Sequence, residues 1–233
     1  MSLGIHNPYP EIRKRAWLSD TKETCGLLLD TGRGGLEYLE CENVHNEPSQ
    51  NFGIAGSVLL RYRDRILAVV HHHPPGCQTT FTEKDLRCSE SLGYPFVLYV
   101  TETDSFLRYR PRKVRHHYEG RRFIFSLQDC VTLLSDWLLE VKRLSFPLFC
   151  VDPREMVVGI KNWQESVESI GLVRHSEPVP ESIVGFRTGS NGAVTHCGVV
   201  TSDLRLLHQW AGSESERVML TTDWQQRAAG YWA

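Results

Sequence analysis

Short apolar or alternating runs, bounded by Gly, Pro and polar clusters, dominate the first half of the chain. On that pattern "CGLLLDT", "GLEYLECENV", "RILAVVHHH" and "YPFVLYVTE" read as β-strands. "PEIRKRAWLSD" reads as a helix with Ile12 and Ala16 on one face and Trp17 as a further candidate for that face. A second helix, "TEKDLRCSESLG", opens on a Thr cap and stops at Gly93. In the second half, "SLQDCVTLLSDWLLEVKRL" places apolar residues at 127, 131, 134, 138 and 141, the spacing of an amphipathic helix with Cys130 near its beginning. "ESIVGFRT", "AVTHCGVVT" and "LRLLHQWA" follow as strands, the last two joined as a hairpin across Thr201, Ser202 and Asp203. The pattern predicts an α+β protein of two domains, mixed in the first half and a helix plus antiparallel sheet in the second.

Between the halves, "RYRPRKVRHHYEGRR" (108–122) interrupts the patterning with seven Arg or Lys residues. It reads as a solvated connector, the other reading being a basic patch for an acidic partner or nucleic acid. The expected layout is a first domain over 1–110, a basic linker over 111–117 and a second domain over 118–233. A length of 233 residues suffices for two compact cores.

Composition narrows the function classes. With 41% hydrophobic and 23% charged residues and a formal net charge of -2, the chain has no global basic excess, so no nucleic-acid partner is expected. It has no run of 18 apolar residues to span a bilayer, and "MSLGIHNPYPEIRKRAWLSD" lacks an apolar h-region with a cleavage site. Synthesis and folding in the cytoplasm, with no integral membrane segment, are therefore expected. Seven cysteines without a repeated spacing argue against a secreted disulfide framework and leave free thiols.

The stretch "VVHHHPPGCQTTFTEKDL" (69–86) carries the first chemistry. Histidines at i and i+2 of an extended segment point to one side, so His71 and His73 can chelate one ion while His72 points away. Pro74 and Pro75 turn the chain, Thr82 caps the next helix, and Asp85 faces back from its first turn. Two imidazoles and a carboxylate make a three-ligand zinc set with a fourth position open. A catalytic site of this kind also needs a base for the proton of the attacking water, and Glu23 in "ETCGLLL" is the candidate. The arrangement Glu, His-x-His-Pro, Ser/Thr-x-x-Asp over roughly residues 1 to 110 resembles the JAMM (MPN/Mov34) metalloprotease family. That resemblance implies Glu23 as general base, His71, His73 and Asp85 as zinc ligands, and Thr82 as the oxyanion-supporting hydroxyl. The family usually has serine where this chain has Thr82, which keeps the hydroxyl but adds a methyl group.

A second constellation centres on Cys130. A thiol at a helix N-terminus has its thiolate favoured by the dipole, and the nearby N–H groups suit an oxyanion. His196 and His208, twelve residues apart on the expected hairpin, would be direct cross-strand neighbours on one face if the loop is 201–203. His196 would then act as base and His208 would orient it. The other six cysteines read as structural. "YEGRRFIFSLQDCVTLLSDWLLE", with "THCGVV" and "LLHQW" downstream, resembles the NlpC/P60 cysteine peptidases, which cut peptidoglycan stem peptides. By that resemblance Cys130 is the nucleophile, His196 the base and His208 the third polar residue. Tyr118 would shape the oxyanion site, and Asp129 completes an Asp-Cys pair. Ser126 stands where glycine is expected, and Val131 where tyrosine or serine is common.

The two domains in this order, with the closing "GYW", resemble the tail assembly proteins of lambdoid and related siphophages. That resemblance implies a role at the tail tip, with peptidoglycan stem peptides and other tail-tip proteins as partners, and action at the host cell wall. The residues alone indicate two independent peptide-cleaving chemistries. A tail-tip assembly factor with weak or absent activity is the alternative, and an isopeptidase reading rests on the first domain only.

Overall fold

The computed structural model describes residues 7–32, 35–111, 118–124, 127–144, 146, 160, 162–188 and 192–233. Most of the expected linker (112–117) and Ser126 lie outside the described residues. The chain divides into two compact units, Met1–Arg115 and His116–Ala233. Each is a mixture of helices and one sheet, so the protein is α+β. No helix among the described residues is long and apolar enough to cross a membrane.

The first unit runs α1 (Tyr9–Trp17), β1 (Cys25–Asp30), β2 (Leu36–Cys41), α2 (Gly56–Tyr62), β3 (Ile66–His73), α3 (Glu83–Leu92), β4 (Phe96–Val100) and β5 (Ser105–Tyr109). Its sheet has the order β2-β1-β3-β4-β5, with β3 and β4 parallel and the other pairs antiparallel. The parallel pair is bridged by α3, which carries the chain from the end of β3 to the start of β4. β1 is buried and apolar from Cys25 to Leu29, as in a strand covered on both sheet faces. On one face Leu27, Leu29, Val69 and Phe96 form a core with Phe52, Ile54 and Leu59 packed on it. Tyr9 of α1 meets Phe106 edge-on at 4.8 Å, and Phe106 meets Tyr99 at the same distance. α1 buries Tyr9, Ile12 and Ala16, whereas Trp17 is 55% exposed, its indole N–H donating to the Tyr99 hydroxyl at 3.0 Å. β5 and α2 were not foreseen. Arg108, expected in the solvated connector, is buried within β5.

The second unit contains α4 (Cys130–Trp137), a π-helical turn (Leu138–Lys142), α5 (Trp163–Ser169), β6 (Arg174–His175), β7 (Ser182–Phe186), β8 (His196–Val200), β9 (Arg205–Gln209), β10 (Ser215–Met219), α6 (Thr222–Arg227) and β11 (Ala228–Trp232). The sheet is antiparallel, in the order β10-β9-β8-β7-β11-β6. Every residue of α4 is buried, so the helix is the centre of its unit rather than an amphipathic cover. The expected stripe holds through Leu138, but Val141 is 43% exposed, because the π turn widens the helical repeat and rotates that residue outward. Arg121 is likewise no part of a solvated connector. Its guanidinium pairs with Asp136 of α4 at 2.6 Å, both side chains being buried, and its carbonyl accepts from Gln209 and from the Ser215 amide.

The β8–β9 hairpin departs from the expected register. Gly198, not His196, lies opposite His208, followed by Val199 opposite Leu207 and Val200 opposite Leu206. The bend occupies residues 202–204, one position later than expected, because Leu204 takes a left-handed conformation (φ 58°) and Thr201 pairs with Arg205 through N–H···O at 2.8 Å. The two-residue offset keeps both histidines on one face and makes them diagonal neighbours. Gly198 is required there: a Cβ would lie 2.8 Å from the Leu207 carbonyl oxygen and 3.1 Å from the His208 Cβ.

Candidate metal and thiol sites

The first site forms where β3 ends. Alternation from Val69 puts His71 and His73 on the sheet face that carries the Phe96 core, while His72 turns to the opposite face. Glu23, His71 and His73 are buried and present ligand atoms all within 4.8 Å of one another, a group that can hold a metal ion. Asp85 approaches from α3, with Oδ1 3.5 Å from His71 Nε2 and Oδ2 3.7 Å from His73 Nε2. Four expected residues therefore converge.

The surroundings set the state of each. His71 is fully buried; among the described residues its Nδ1 has no hydrogen-bond partner and its Nε2 faces only the Asp85 carboxylate at 3.5 Å, and burial lowers its pKa, so a lone pair is available to a cation. Phe52 stacks on its ring at 4.4 Å. His73 Nδ1 lies 2.6 Å from the Gln78 carbonyl oxygen, which accepts from it and leaves Nε2 facing the site. Burial alone would lower His73, but Asp85, Gln78 and Glu23 outweigh it and raise its pKa. For Asp85, burial is opposed by bonds from His71, His73 and Thr82, which hold the carboxyl well below the usual range. Burial pushes Glu23 up to about 7, despite His73 nearby. A buried imidazole beside two carboxylates and a second, oriented imidazole fits a divalent ion of the nitrogen- and oxygen-preferring kind.

Thr82 and Asp85 also form a capping box. The Thr82 hydroxyl and amide donate to Asp85 Oδ2 at 2.7 and 2.8 Å, and the Asp85 amide donates to Thr82 Oγ1. The Thr82 proton is thus engaged in aiming Asp85. His72 is a fixed structural residue: the Thr24 amide donates to its Nδ1 at 2.7 Å, and burial lowers its pKa to about 4.

The second site forms at the start of α4. Asp129 caps the helix, its Oδ1 accepting from the Thr132 amide at 3.0 Å while Thr132 Oγ1 accepts from the Asp129 amide at 2.7 Å. This fixes Cys130 in the first turn, 2% exposed and packed among Cys197, Val199 and Leu133. The neighbouring Cys197 and, against burial, the His196 ring pull the Cys130 pKa well below the ordinary thiol value. Burial pushes Cys197 the other way. His196 Nε2 meets His208 Nδ1 at 3.1 Å, both rings being buried. Burial, then the neighbouring His196, lowers His208 to about 4, so it is neutral and orients rather than repels. Tyr118 packs against the same core cluster as Cys130, its hydroxyl donates to Glu140 of the π turn, and its ring lies under the Arg121 guanidinium at 5.6 Å.

Several neighbours escaped sequence reasoning. Trp210 meets His196 edge-on at 4.8 Å, and Trp224 lies 5.0 Å from His208, walling the pair with rings. Trp210 follows His208 by two residues, so strand alternation could have flagged it. Phe52 comes from an irregular segment and carries no such signal.

The chain is similar to a phage tail tip assembly protein. It is 28% identical over 169 residues to the tail tip assembly protein K of Escherichia phage lambda, an alignment spanning 72% of this chain and 81% of that protein. No family model matches the chain. The resemblance to phage tail assembly proteins read from the sequence agrees with this similarity.

Proposed function

We propose that the chain is a tail tip assembly protein with two peptidase sites, a zinc-dependent JAMM-like one in the first unit and an NlpC/P60-like cysteine peptidase in the second. The tail role is supported by the similarity to the lambda protein. The peptidase reading is carried by one observation: a buried thiol in the first turn of a capped helix, in the same unit as a buried His196–His208 pair whose ring nitrogens meet at 3.1 Å.

In this reading the Cys130 thiolate attacks a peptide carbonyl. A C–S bond forms, the carbonyl electron pair moves to oxygen, and first-turn N–H groups of α4 stabilise the charge. Protonated His196 then gives its proton to the leaving amine as the C–N bond breaks. Water, deprotonated by His196, hydrolyses the thioester. His208 Nδ1 accepts from His196 Nε2 and so keeps the other ring nitrogen aimed at sulfur. The expected substrate is the stem peptide of peptidoglycan, met at the host cell wall when the tail tip arrives, and the expected partners are other tail-tip proteins.

In the first unit, His71, His73 and Asp85 would hold a zinc ion, which would supply Lewis acidity toward a carbonyl. Glu23, titrating near neutrality, takes a proton from water and returns it to the leaving amine. Thr82 aims Asp85, and Gln78 fixes the tautomer of His73.

Digestion of purified peptidoglycan by the wild-type protein and by Cys130→Ala, with fragments identified by mass spectrometry, tests the second site. Stem-peptide cleavage that vanishes in the variant is expected. The relative's name favours a second reading, an assembly factor that binds tail proteins without turnover. Infectious tails assembled equally well with Cys130→Ala and Asp85→Ala, with no cleavage by the folded wild type, would establish that reading instead.

A further inference from the structure

An apolar cavity of about 300 Å³ opens directly beside the metal-binding group. Phe52, Ile54, Leu59, Val69 and Phe96 line it, and so does Asp85. Phe52 is shared: its ring lines the cavity and stacks on His71 at 4.4 Å. Anything in the cavity therefore lies within one residue's reach of His71 and Asp85. α2, which supplies Leu59, buries none of its residues fully, so the space beneath it is left unfilled by the chain's own side chains. Lys84 and Asn51 also line the cavity, Lys84 donating to Asn51 Oδ1 at 2.6 Å.

We propose that this cavity receives an apolar side chain of leucine, methionine or phenylalanine size from a peptide lying across the metal-binding group, and so sets the sequence preference of that site. The proposal rests on the reading of the first unit as a metal-dependent peptidase. The volume stands at the bottom of the roughly 300–1,000 Å³ range of small-ligand sites, which suits one side chain rather than a whole cofactor. Apolar walls disfavour charged side chains, which would lose hydration there, because Asp85 is already bonded by Thr82 and Lys84 already bonds Asn51. Lys84 and Asn51 complement the backbone oxygen beside the inserted side chain.

The test has a binding arm independent of turnover. Backbone amide NMR of the full chain is followed during titration with N-acetyl-leucine amide and N-acetyl-glycine amide. Burial of a side chain of that size corresponds to roughly ten- to hundredfold in affinity. Saturable shifts at the cavity residues, at least tenfold weaker for the glycine compound, are expected. Cys88 is exposed on α3 and lines the cavity, so Cys88→Trp fills the space from outside the core and should weaken the leucine compound by a similar factor. Absence of saturable binding, or equal binding of both compounds, overturns the proposal. In the second arm the zinc-loaded protein digests a peptide library. Chelator-sensitive cleavage with a large apolar residue at one fixed position, lost in Cys88→Trp, is expected. Chelator-sensitive cleavage without such a position overturns the cavity's role and leaves the peptidase reading standing. Leucine binding in the cavity without any chelator-sensitive cleavage removes the peptidase reading and, with it, the role in sequence preference.

Discussion

Replacing Gly198 by alanine tests whether the spacing of β8 and β9 sets up the His196–His208 contact. The added Cβ would stand 2.8 Å from Leu206 Cδ1 and from the Leu207 carbonyl oxygen, and 3.1 Å from the His208 Cβ. Leu206 can rotate, but the carbonyl and the His208 Cβ belong to or adjoin the backbone of β9. Ordinary contact requires β9 to retreat by about 0.5 Å, an overpacking change that typically costs about 1–3 kcal/mol. The lower unfolded-state entropy of alanine offsets roughly 0.5–1 kcal/mol of this. A net loss of about 1–2 kcal/mol lowers the melting temperature by roughly 4–10 °C. The same retreat takes His196 Nε2 and His208 Nδ1 from 3.1 Å to beyond the range of a good hydrogen bond. Under the proposed peptidase reading, turnover of stem peptides should fall by about one to two orders of magnitude, because His196 would lose its orienting partner. Thermal unfolding followed by tryptophan fluorescence, together with fragment release from peptidoglycan, gives both readouts. A variant that melts and turns over like wild type would refute the reasoning, since the close strand approach would then be irrelevant to the histidine pair.

Zinc at about a hundredfold over its dissociation constant should stabilise the protein by roughly 2.7 kcal/mol, and His71→Ala should abolish the effect. Identical melting curves with and without zinc in the wild type would contradict the metal assignment. His208, lowered to about 4 by burial and His196, binds its proton more weakly folded than unfolded. Its contribution to stability is therefore complete above about pH 6.5 and is lost as pH falls toward about 4. Urea midpoints measured between pH 7 and 4 should fall more steeply for wild type than for His208→Gln, and parallel curves would exclude this linkage. Asp136→Ala leaves the buried Arg121 guanidinium without its carboxylate at 2.6 Å and should cost about 3–5 kcal/mol, read from denaturant unfolding. A loss under 1 kcal/mol would mean that other partners hold the cation.

Local signals were legible wherever chemistry and geometry share a short stretch. Thr82 and Gly93 bracket α3 as their capping chemistry requires, and alternation along β3 separates His71 and His73 from His72. Cys130 falls in the first turn of α4 because Asp129 caps it. What escaped depends on features without a residue signature. The hairpin shifted by one loop position because a leucine, not a glycine, takes the left-handed turn at 204. The π turn displaced Val141 from a stripe that a regular helix would have continued. β10, with the sequence "SERVM", is mostly exposed, so its polar positions hid an edge strand. Arg121 read as solvent-exposed because its partner Asp136 is fifteen residues away and on a helix that looked two-sided. The ring wall around His196 and His208 required tertiary placement of Trp224 from α6.

Asp85 caps a helix and faces two imidazoles with the same carboxylate. Removing the side chain altogether, as alanine would, loses both duties at once, whereas asparagine keeps the cap and gives up the negative charge between His71 and His73. A descendant of this chain without the proposed metal chemistry could change either imidazole at a local expense. Losing the side chain at 85 would also untie the crossover between the two parallel strands, so a capping residue would be expected to persist there even after the charge had gone.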